Sequence, residues 1–405
     1  MNHLKIYNYF LAFLIFLLSF AQISCKKYSE NKSEAKQIGI TFSTNQHYIL
    51  KNNVPLNIKG VVYVPCYPGF LPWEIERNIA LPNQLKESIK NDLSQIKKMG
   101  ANTVRLWGAP KYCYEVIKEI GGLNIIQVIW IDGEVTDFQN SSFKTNTKNY
   151  IKEVIDRVYS VFNSNEIPII AFTIGNELSK GSIFTTNSAH SDLNHYSGRF
   201  IKTDSNINAS EAFIAEMADF ARSYEFDTYN HTSLLTYSNE IRTFGDIDIY
   251  FLDFISHNAY SYAVPYYRPQ TKKGSYSGTY FQGWIEEIKA KNPTLPLLIT
   301  ETGLSVSPNA NHIGPPNYGY GGNTENEQSQ GILQNLEDIE TCNYPIAGVC
   351  IHEYLDAWWK FGLEDSYSQD PNDIEEWFGI VKLIAQEKWH STEPRLIFFE
   401  LQKRW

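Results

Sequence analysis

The chain has 405 residues, of which 14 % are aromatic, and carries a formal net charge of −10 at pH 7. No run of basic residues interleaves with aromatic ones, which argues against a nucleic-acid partner. The histidines contain no His-Glu-x-x-His motif and the cysteine spacing matches no zinc pattern, so we expect neither a metal site nor a cofactor.

The first 25 residues have the pattern of an export signal. Lys5 precedes an apolar stretch at residues 9–20, which is short for a membrane span and has the length of a signal-peptide core. The segment Ala21-Gln22-Ile23-Ser24-Cys25 resembles a bacterial lipoprotein signal, although Gln22 departs from the usual leucine. We therefore expect a signal peptide at 1–24, lipidation of Cys25 and a lipid-anchored protein of the bacterial cell envelope, on the outer membrane or cell surface. An ordinary secretory signal cut nearby is the alternative.

A polar segment at residues 25–37 follows the signal. It contains too few apolar residues to support a packed core, so we expect a flexible tether. The rest of the chain, residues 38–405, has no second low-complexity stretch and is predicted to form one domain and a monomer.

The remaining sequence alternates between strand-like and helix-like periods. Residues 38–60 predict a hairpin, turning at Asn52-Asn53, that leads into the first of eight strands. The strand-like runs are 57–64, 102–107, 123–131, 168–174, 233–237, 250–257, 295–301 and 346–353. Helical patterns occupy 84–99, 147–162, 210–223, 279–290 and 327–340, with Ser210 as an N-cap and Gly100 as a C-cap. This order predicts the α/β class and a (β/α)8 TIM barrel.

Three loops that follow strands are unusually long, at residues 65–82, 178–208 and 303–326. In barrel enzymes the site is built from such loops, at the carboxyl ends of the strands. Their content of Tyr, Asn, Ser and His favours a groove for a polymer over decorative insertions.

Strands four and seven each end in a carboxylate. Apolar runs lead to Asn176-Glu177 and to Glu301. Such runs predict strands buried on both faces, and two glutamates at the mouth of one barrel form the pair that glycosidic cleavage needs. One carboxyl protonates the leaving oxygen, and a second one about 5 Å away attacks the sugar carbon.

These residues resemble the clan of retaining (β/α)8 glycoside hydrolases, clan A, over most of residues 38–405. Asn176-Glu177 and Glu301 match its two-glutamate layout, and Arg105 ends strand two as the arginine of the clan does. Asn258-Ala259-Tyr260 resembles the Asn-x-Tyr of galactosidase-like and glucuronidase-like members. The resemblance implies that Glu177 is the general acid and base and Glu301 the nucleophile, that Asn176 binds the sugar 2-hydroxyl, and that Arg105 and Tyr260 orient Glu301.

Further candidates for substrate binding or orientation lie near the same strand ends. They are Trp107, Trp130, His257, Asn258 and Trp358. His257 is expected either to contact Glu177 or substrate, or to be a structural histidine.

Strand eight departs from the pattern of the clan, which places a tryptophan at its end. Here the strand ends Ile351-His352-Glu353-Tyr354, and either Trp358 supplies the floor of the sugar site or the floor differs. Glu353 is expected either as a third mouth carboxylate or in a pair with a nearby base. The stretch from Asp356 to Lys360, with Glu376 to Ile380, resembles bacterial glucanase-like members.

Two cysteines, Cys66 and Cys113, are predicted on adjacent loops. In an exported protein they form either a disulfide or two free thiols.

The leading functional prediction is a retaining hydrolase of β-linked oligo- or polysaccharide. An endo-β-glucanase acting on 1,3-linked glucan is the first expectation from the resemblance. Transglycosylation on the same substrates would use the same residues. A lipid-anchored glycan-binding barrel without activity is the non-enzymatic alternative.

Overall fold

The computed structural model describes residues 39–405 apart from 79, 267–278, 317, 361–367 and 386–388. The predicted signal peptide, Cys25 and the tether lie outside the described residues.

A small antiparallel sheet opens the fold. It consists of β1 (Phe42–Thr44), β2 (Ile49–Lys51) and β3 (Val54–Pro55). Between β2 and β3, Asn52 and Asn53 both have positive φ, at 51° and 65°. Two-residue hairpin turns of this type need positive φ at both positions, and asparagine tolerates it better than most residues do. The predicted hairpin is confirmed.

Eight parallel strands then close into a barrel, which confirms the predicted (β/α)8 architecture. The strands are β4 (Ile58–Tyr63), β5 (Thr103–Leu106), β6 (Asn124–Ile129), β7 (Ile169–Asn176), β8 (Leu234–Asn239), β9 (Ile255–Asn258), β10 (Leu297–Thr302) and β11 (Gly348–Ile351). They neighbour one another in chain order, and β11 pairs with β4 to complete the ring. All eight residues of β7 are buried, as expected for a strand packed on both faces.

Helices cover the outside of the barrel. They are α1 (Pro72–Glu76), α2 (Asn83–Lys98), α3 (Lys111–Ile120), α4 (Ser141–Tyr159), α5 (Lys180–Ala189), α6 (Ala209–Tyr229), α7 (Tyr280–Lys291), α8 (Glu325–Glu340) and α9 (Leu396–Arg404). A two-stranded hairpin, β12 (Val381–Ala385) and β13 (His390–Pro394), follows the barrel.

Several predicted boundaries are wrong for identifiable reasons. Helix α4 begins six residues early because the Asn140 side chain accepts from the amides of Ser142 and Phe143 and caps it there. The N-cap of α6 is Asn208 rather than Ser210, since Asn208 and Glu211 form a capping box. The sixth barrel strand starts only at Ile255.

Cys66, Cys113, Cys342 and Cys350 are all free thiols. Cys113 lies in α3, and it forms no disulfide with Cys66. Within the described part of the chain, no helix combines the length and the apolar character needed to cross a bilayer.

Candidate active site

Strand β7 delivers Glu177 to the mouth of the barrel through an unusual backbone turn. Gly175 and Glu177 have positive φ, at 82° and 48°, and the Glu177 amide donates to the Ser238 carbonyl at 3.0 Å. A non-glycine residue in this region is uncommon and costs conformational energy, and such residues cluster at functional sites. The side chain is 27 % exposed, so it is accessible from the mouth.

Glu301 lies deeper, inside β10, with only 4 % of its side chain exposed. Arg105 Nη1 donates to Glu301 Oε1 at 2.6 Å, and the Tyr260 hydroxyl donates to Oε2 at 2.6 Å. Both oxygens of the carboxylate therefore accept hydrogen bonds from residues at other strand ends, Arg105 and Tyr260.

Two asparagines join the carboxylates in one hydrogen-bond network. Arg105 Nη2 donates to Asn176 Oδ1 at 2.8 Å. Asn258 Nδ2 donates to Glu177 Oε1 at 2.8 Å and to Asn176 Oδ1 at 3.1 Å. With Tyr260, the structure thus brings together six of the predicted residues, which the sequence separates by up to 196 positions.

The two glutamates have opposite protonation tendencies. Burial raises the pKa of Glu177 to about 8, helped by the negative charge of Glu301, while the hydrogen bond from Asn258 opposes this rise. Burial would also raise the pKa of Glu301, but His352, Arg105 and Tyr260 stabilise its carboxylate and lower the pKa to about 2. At neutral pH, Glu177 holds a proton and Glu301 is an anion.

Sequence reasoning missed a third group beside Glu301, which is His352. Its Nδ1 lies 3.2 Å from Glu301 Oε2, and its Nε2 lies 2.9 Å from Lys360 Nζ. Lys360 also donates to Glu353 Oε1 at 2.8 Å, so Glu353 pairs with a nearby base, one of its two expected placements. Burial and Lys360 disfavour the imidazolium, but Glu353 and Glu301 outweigh them and raise the pKa of His352 to about 9. The signal was available, because His352 ends an apolar strand as the two glutamates do.

Aromatic side chains line the wall beside Arg105 and His352. The Trp107 ring lies 5.4 Å from the Arg105 guanidinium and 5.8 Å from the His352 ring. Trp130 packs 5.3 Å from Trp107 and is 48 % exposed. Phe378, which the sequence did not suggest, packs against His352 at 5.3 Å. Trp107 and Trp130 therefore lead from the carboxylates toward solvent.

The remaining two candidates lie elsewhere. His257 is buried between Phe244 and Trp284, with ring distances of 5.9 and 5.5 Å, and its Nε2 has no hydrogen-bond partner among the residues that the structure describes. It faces the helix layer because side chains alternate along β9 and Asn258 faces the site. Burial lowers the pKa of His257 to about 3. Trp358 is buried against His390 at 4.8 Å. His257 is therefore packed as a structural histidine. The ring that packs against His352 belongs to Phe378 and not to Trp358.

A cavity of about 430 Å³ opens beside Glu177. Loops after three strands line the cavity. The charged residues in this lining are Glu134, Glu177, Lys180, Glu240 and Arg242. Arg242 Nη2 lies 3.9 Å from Glu177 Oε2. Over the residues that the structure covers, no group of three or more His, Cys, Asp or Glu side chains is arranged to hold a metal ion.

Comparison with known proteins identifies similar barrels. No protein-family model matches the chain. A provisionally named β-glucuronidase of Formosa agariphila is 36 % identical over 91 residues, which cover 22 % of this chain and 10 % of that protein.

Solved structures are similar over far more of the chain. A GH2 β-galacturonidase from Eisenbergiella tayi bound to galacturonate has a TM-score of 0.59 at 19 % identity, covering 90 % of this chain and 53 % of its own. A β-glucuronidase from an uncultured Clostridium has a TM-score of 0.58 at 18 % identity, with 90 % and 53 % coverage. The Ruminococcus gnavus β-glucuronidase has a TM-score of 0.59 at 16 % identity, with 90 % and 53 % coverage.

The chain spans about half the length of these solved structures. At such low sequence identities the similarity concerns the fold. The chain has the barrel fold found within these β-glucuronidase and β-galacturonidase structures.

Proposed function

We propose that the chain is a retaining glycoside hydrolase that cleaves β-linked glycosides by double displacement. The observation that carries the proposal is the pair of carboxyl groups in one hydrogen-bond network, with Arg105 and the Tyr260 hydroxyl on Glu301 and the Asn258 amide on Glu177. Separating the pKa values of two neighbouring carboxyl groups is how one site supplies both an acid and a nucleophile.

Each residue then has a defined task. Glu301 attacks the anomeric carbon while Glu177 gives its proton to the leaving oxygen. Glu177 next removes a proton from water, and that water displaces Glu301 from the sugar. Arg105 and Tyr260 hold Glu301 in place, and Asn176, which shares donors with both carboxylates, is placed to bind the sugar 2-hydroxyl. The cavity beside Glu177 would receive the leaving group.

Two kinds of sugar are candidates for the substrate. The sequence resemblance favours a neutral β-glucan, with 1,3-linked glucan first. The comparisons instead name enzymes of glucuronides and galacturonides. The uronide candidate rests on those names and on the shared fold. The test includes both kinds of sugar. The export signal and lipid anchor expected at residues 1–25 remain part of the proposal.

The experiment is a screen of the purified protein against 4-nitrophenyl β-glycosides, including the glucoside, galactoside, mannoside, glucuronide and galacturonide, and against a 1,3-β-glucan. We expect turnover of at least one class. Proton NMR in the first minutes should show the β-anomer of the released sugar, and products longer than the input would indicate transglycosylation.

Variants make the screen specific. Glu301→Gln and Glu177→Gln should each reduce kcat on the active substrate by at least about a thousandfold, since they remove the nucleophile and the acid. Glu225→Gln is the matched control, because Glu225 is also a buried glutamate but bonds Ser233 and Tyr159 outside the site. Release of the α-anomer would contradict retention, and full activity in Glu301→Gln would contradict the assignment.

A further inference from the structure

His352 directly follows β11 and lies beside Glu301. Its ring is enclosed by the rings of Trp107, Tyr260 and Phe378 at 5.8, 6.1 and 5.3 Å. Only 2 % of the residue is exposed. The ring therefore cannot rotate away without displacing three aromatic neighbours, and its Nδ1 stays 3.2 Å from Glu301 Oε2, an ion-pair distance without the alignment of a hydrogen bond.

The contact on the other side of the ring determines where the ring protons are. Lys360 Nζ lies 2.9 Å from His352 Nε2, which is a hydrogen-bond distance. If Lys360 donates to a neutral ring, Nε2 accepts and the ring proton is on Nδ1; if the ring is an imidazolium, both nitrogens carry protons. In either state Nδ1 carries a proton and lies 3.2 Å from Glu301 Oε2.

Three carboxylates surround the pair and favour its positive charge. Glu353 Oε1 lies 2.8 Å from Lys360 Nζ and 3.3 Å from His352 Nε2. Glu375 Oε2 lies 3.5 Å from Lys360 Nζ. On the remaining side stands Glu301, which Arg105 and the Tyr260 hydroxyl also contact. Among the described carboxylates that contact the pair, Glu301 is the one that the proposed mechanism uses, so the pair acts on catalysis through Glu301.

We propose that His352 and Lys360 are a positioning pair for the nucleophile, in which Lys360 fixes the His352 ring so that its Nδ1–H stabilises the Glu301 carboxylate as it leaves the sugar. This inference rests on the proposed function and adds residues that its two-glutamate scheme does not contain.

The role differs between the two chemical steps. In the first step an oxygen of Glu301 bonds to the anomeric carbon, the bond to the leaving oxygen breaks, and the Glu177 proton moves to that oxygen. In the second, a water oxygen bonds to the anomeric carbon, its proton moves to Glu177, and the electron pair of the breaking bond returns to Glu301. A donor on Oε2 stabilises the carboxylate that the second step regenerates, whereas it slightly lowers nucleophilicity in the first.

Loss of the donor should therefore slow the second step. When breakdown of the glycosyl-enzyme is rate-limiting, kcat and KM fall together while kcat/KM is nearly kept. A merely structural defect would instead lower kcat/KM and leave no intermediate.

The test uses the 2,4-dinitrophenyl β-glycoside of whichever sugar the wild-type protein hydrolyses. For His352→Phe we expect kcat to fall about 10- to 100-fold with a parallel fall in KM, and the glycosyl-enzyme to appear in intact-protein mass spectra during turnover. Lys360→Met should change kcat, KM and the amount of glycosyl-enzyme in the same direction as His352→Phe but less, since the His352 ring keeps its proton and loses only the contact with Lys360.

A buried lysine outside the site provides the matched control. Lys289 is 1 % exposed and donates to the carbonyls of Gln46 and Pro293, so Lys289→Met should destabilise the fold without lowering KM or accumulating adduct. Thermal unfolding of all three variants shows whether they fold.

Three other results would overturn the inference. They are wild-type kcat and KM in His352→Phe, a fall in kcat/KM without adduct, or an unfolded His352→Phe accompanied by a normal Lys360→Met. If the wild-type protein hydrolyses no glycoside, the proposed function itself fails, which is distinct from an active wild type with unaffected variants.

Discussion

Glu177 and Glu301 are chemically identical side chains whose surroundings differ. Around Glu301, Arg105 and Tyr260 donate hydrogen bonds, and His352 Nδ1 lies 3.2 Å away. Among the described residues, Glu177 accepts from the side-chain amide of Asn258, and its cationic neighbour Arg242 is 3.9 Å away and largely exposed. Since a carboxyl group ionises more readily with more donors, the number and charge of neighbours assign the two roles.

The pH dependence of kcat/KM should show this assignment. Activity requires ionised Glu301, with a pKa of about 2, and protonated Glu177, with a pKa of about 8. We expect kcat/KM to be flat from about pH 4 to pH 7 and to fall tenfold per pH unit above about pH 8. A basic limb near pH 5 would contradict the protonated state of Glu177 at neutral pH.

The contribution of Glu301 to the raised pKa of Glu177 can be measured in a variant of the same protein. Removing the charge of Glu301 by Glu301→Gln should lower the pKa of Glu177, because one of the causes of its rise is repulsion between the two carboxylates. Carbon NMR of labelled glutamate would measure this shift. Glu225→Gln again serves as the control and should leave the pKa of Glu177 unchanged.

At the scale of elements, the sequence predicted the barrel strands better than the helices and hairpins around them. The run before Glu177 is apolar on both faces and of strand length, as expected for a strand buried between layers, so the barrel and its strand-end residues could be inferred. Helix α3 and the β12–β13 hairpin were not predicted. Helix α3 has apolar residues at helical spacing, with Cys113, Val116 and Ile117 buried, but its ten residues are few for such a pattern to be recognised. The short strands of the hairpin depend on packing for their identity. Both placements stayed open for His257, since adjacent residues at a strand end could not be allotted to faces. His352 was missed because the resemblance directed attention to a tryptophan there.

The segment after β6 carries an exposed aromatic side chain near the site, Trp130. Trp130 is half-exposed beside the buried Trp107, and a sugar ring stacked on it would bind next to the sugar that Glu301 attacks. Trp130→Ala should therefore raise KM for an oligosaccharide about 5- to 20-fold more than for an aryl monoglycoside, equivalent to about 1–2 kcal/mol of stacking.

Phe399→Ala is the matched control for this comparison. Phe399 has a similar exposure of 46 % but lies on α9, whose end packs on Gly100 at the opposite side of the barrel from the carboxylates. Equal changes in KM for the long and short substrates in Trp130→Ala would show that Trp130 contributes no separate sugar contact.

At the scale of the whole molecule, one buried carboxyl group outside the site links the barrel to its helix layer. Asp92 on α2 is fully buried and accepts from Tyr63 of β4 at 2.9 Å and from Tyr67 at 2.5 Å. No residue in the described part of the chain donates a hydrogen bond to its Oδ1. Burial raises the pKa of Asp92 to about 7, although the two tyrosine hydroxyls act to lower it.

This raised pKa makes the stability of the fold depend on pH. The unfolded chain ionises Asp92 near pH 4 and the folded chain only near pH 7, so between these values folding has to retain a proton that the unfolded state releases. The contribution of protonated Asp92 to the free energy of unfolding is fully present below about pH 4, declines as pH rises and is lost above about pH 7. About three pKa units correspond to about 4 kcal/mol.

Asp92→Asn should remove this dependence, because an amide keeps an acceptor for the tyrosines and has no charge to bury. We expect the variant to exceed the wild-type free energy of unfolding at pH 8 by roughly 1–4 kcal/mol, with the difference shrinking toward pH 4.5, as measured by urea unfolding. Asp227→Asn is the control, since Asp227 is 60 % exposed in a surface pair with Arg199 and should change stability by less than about 1 kcal/mol at either pH. A variant less stable than wild type at pH 8 would show that Asp92 is ionised in the fold and that its charge, rather than its burial, determines its contribution.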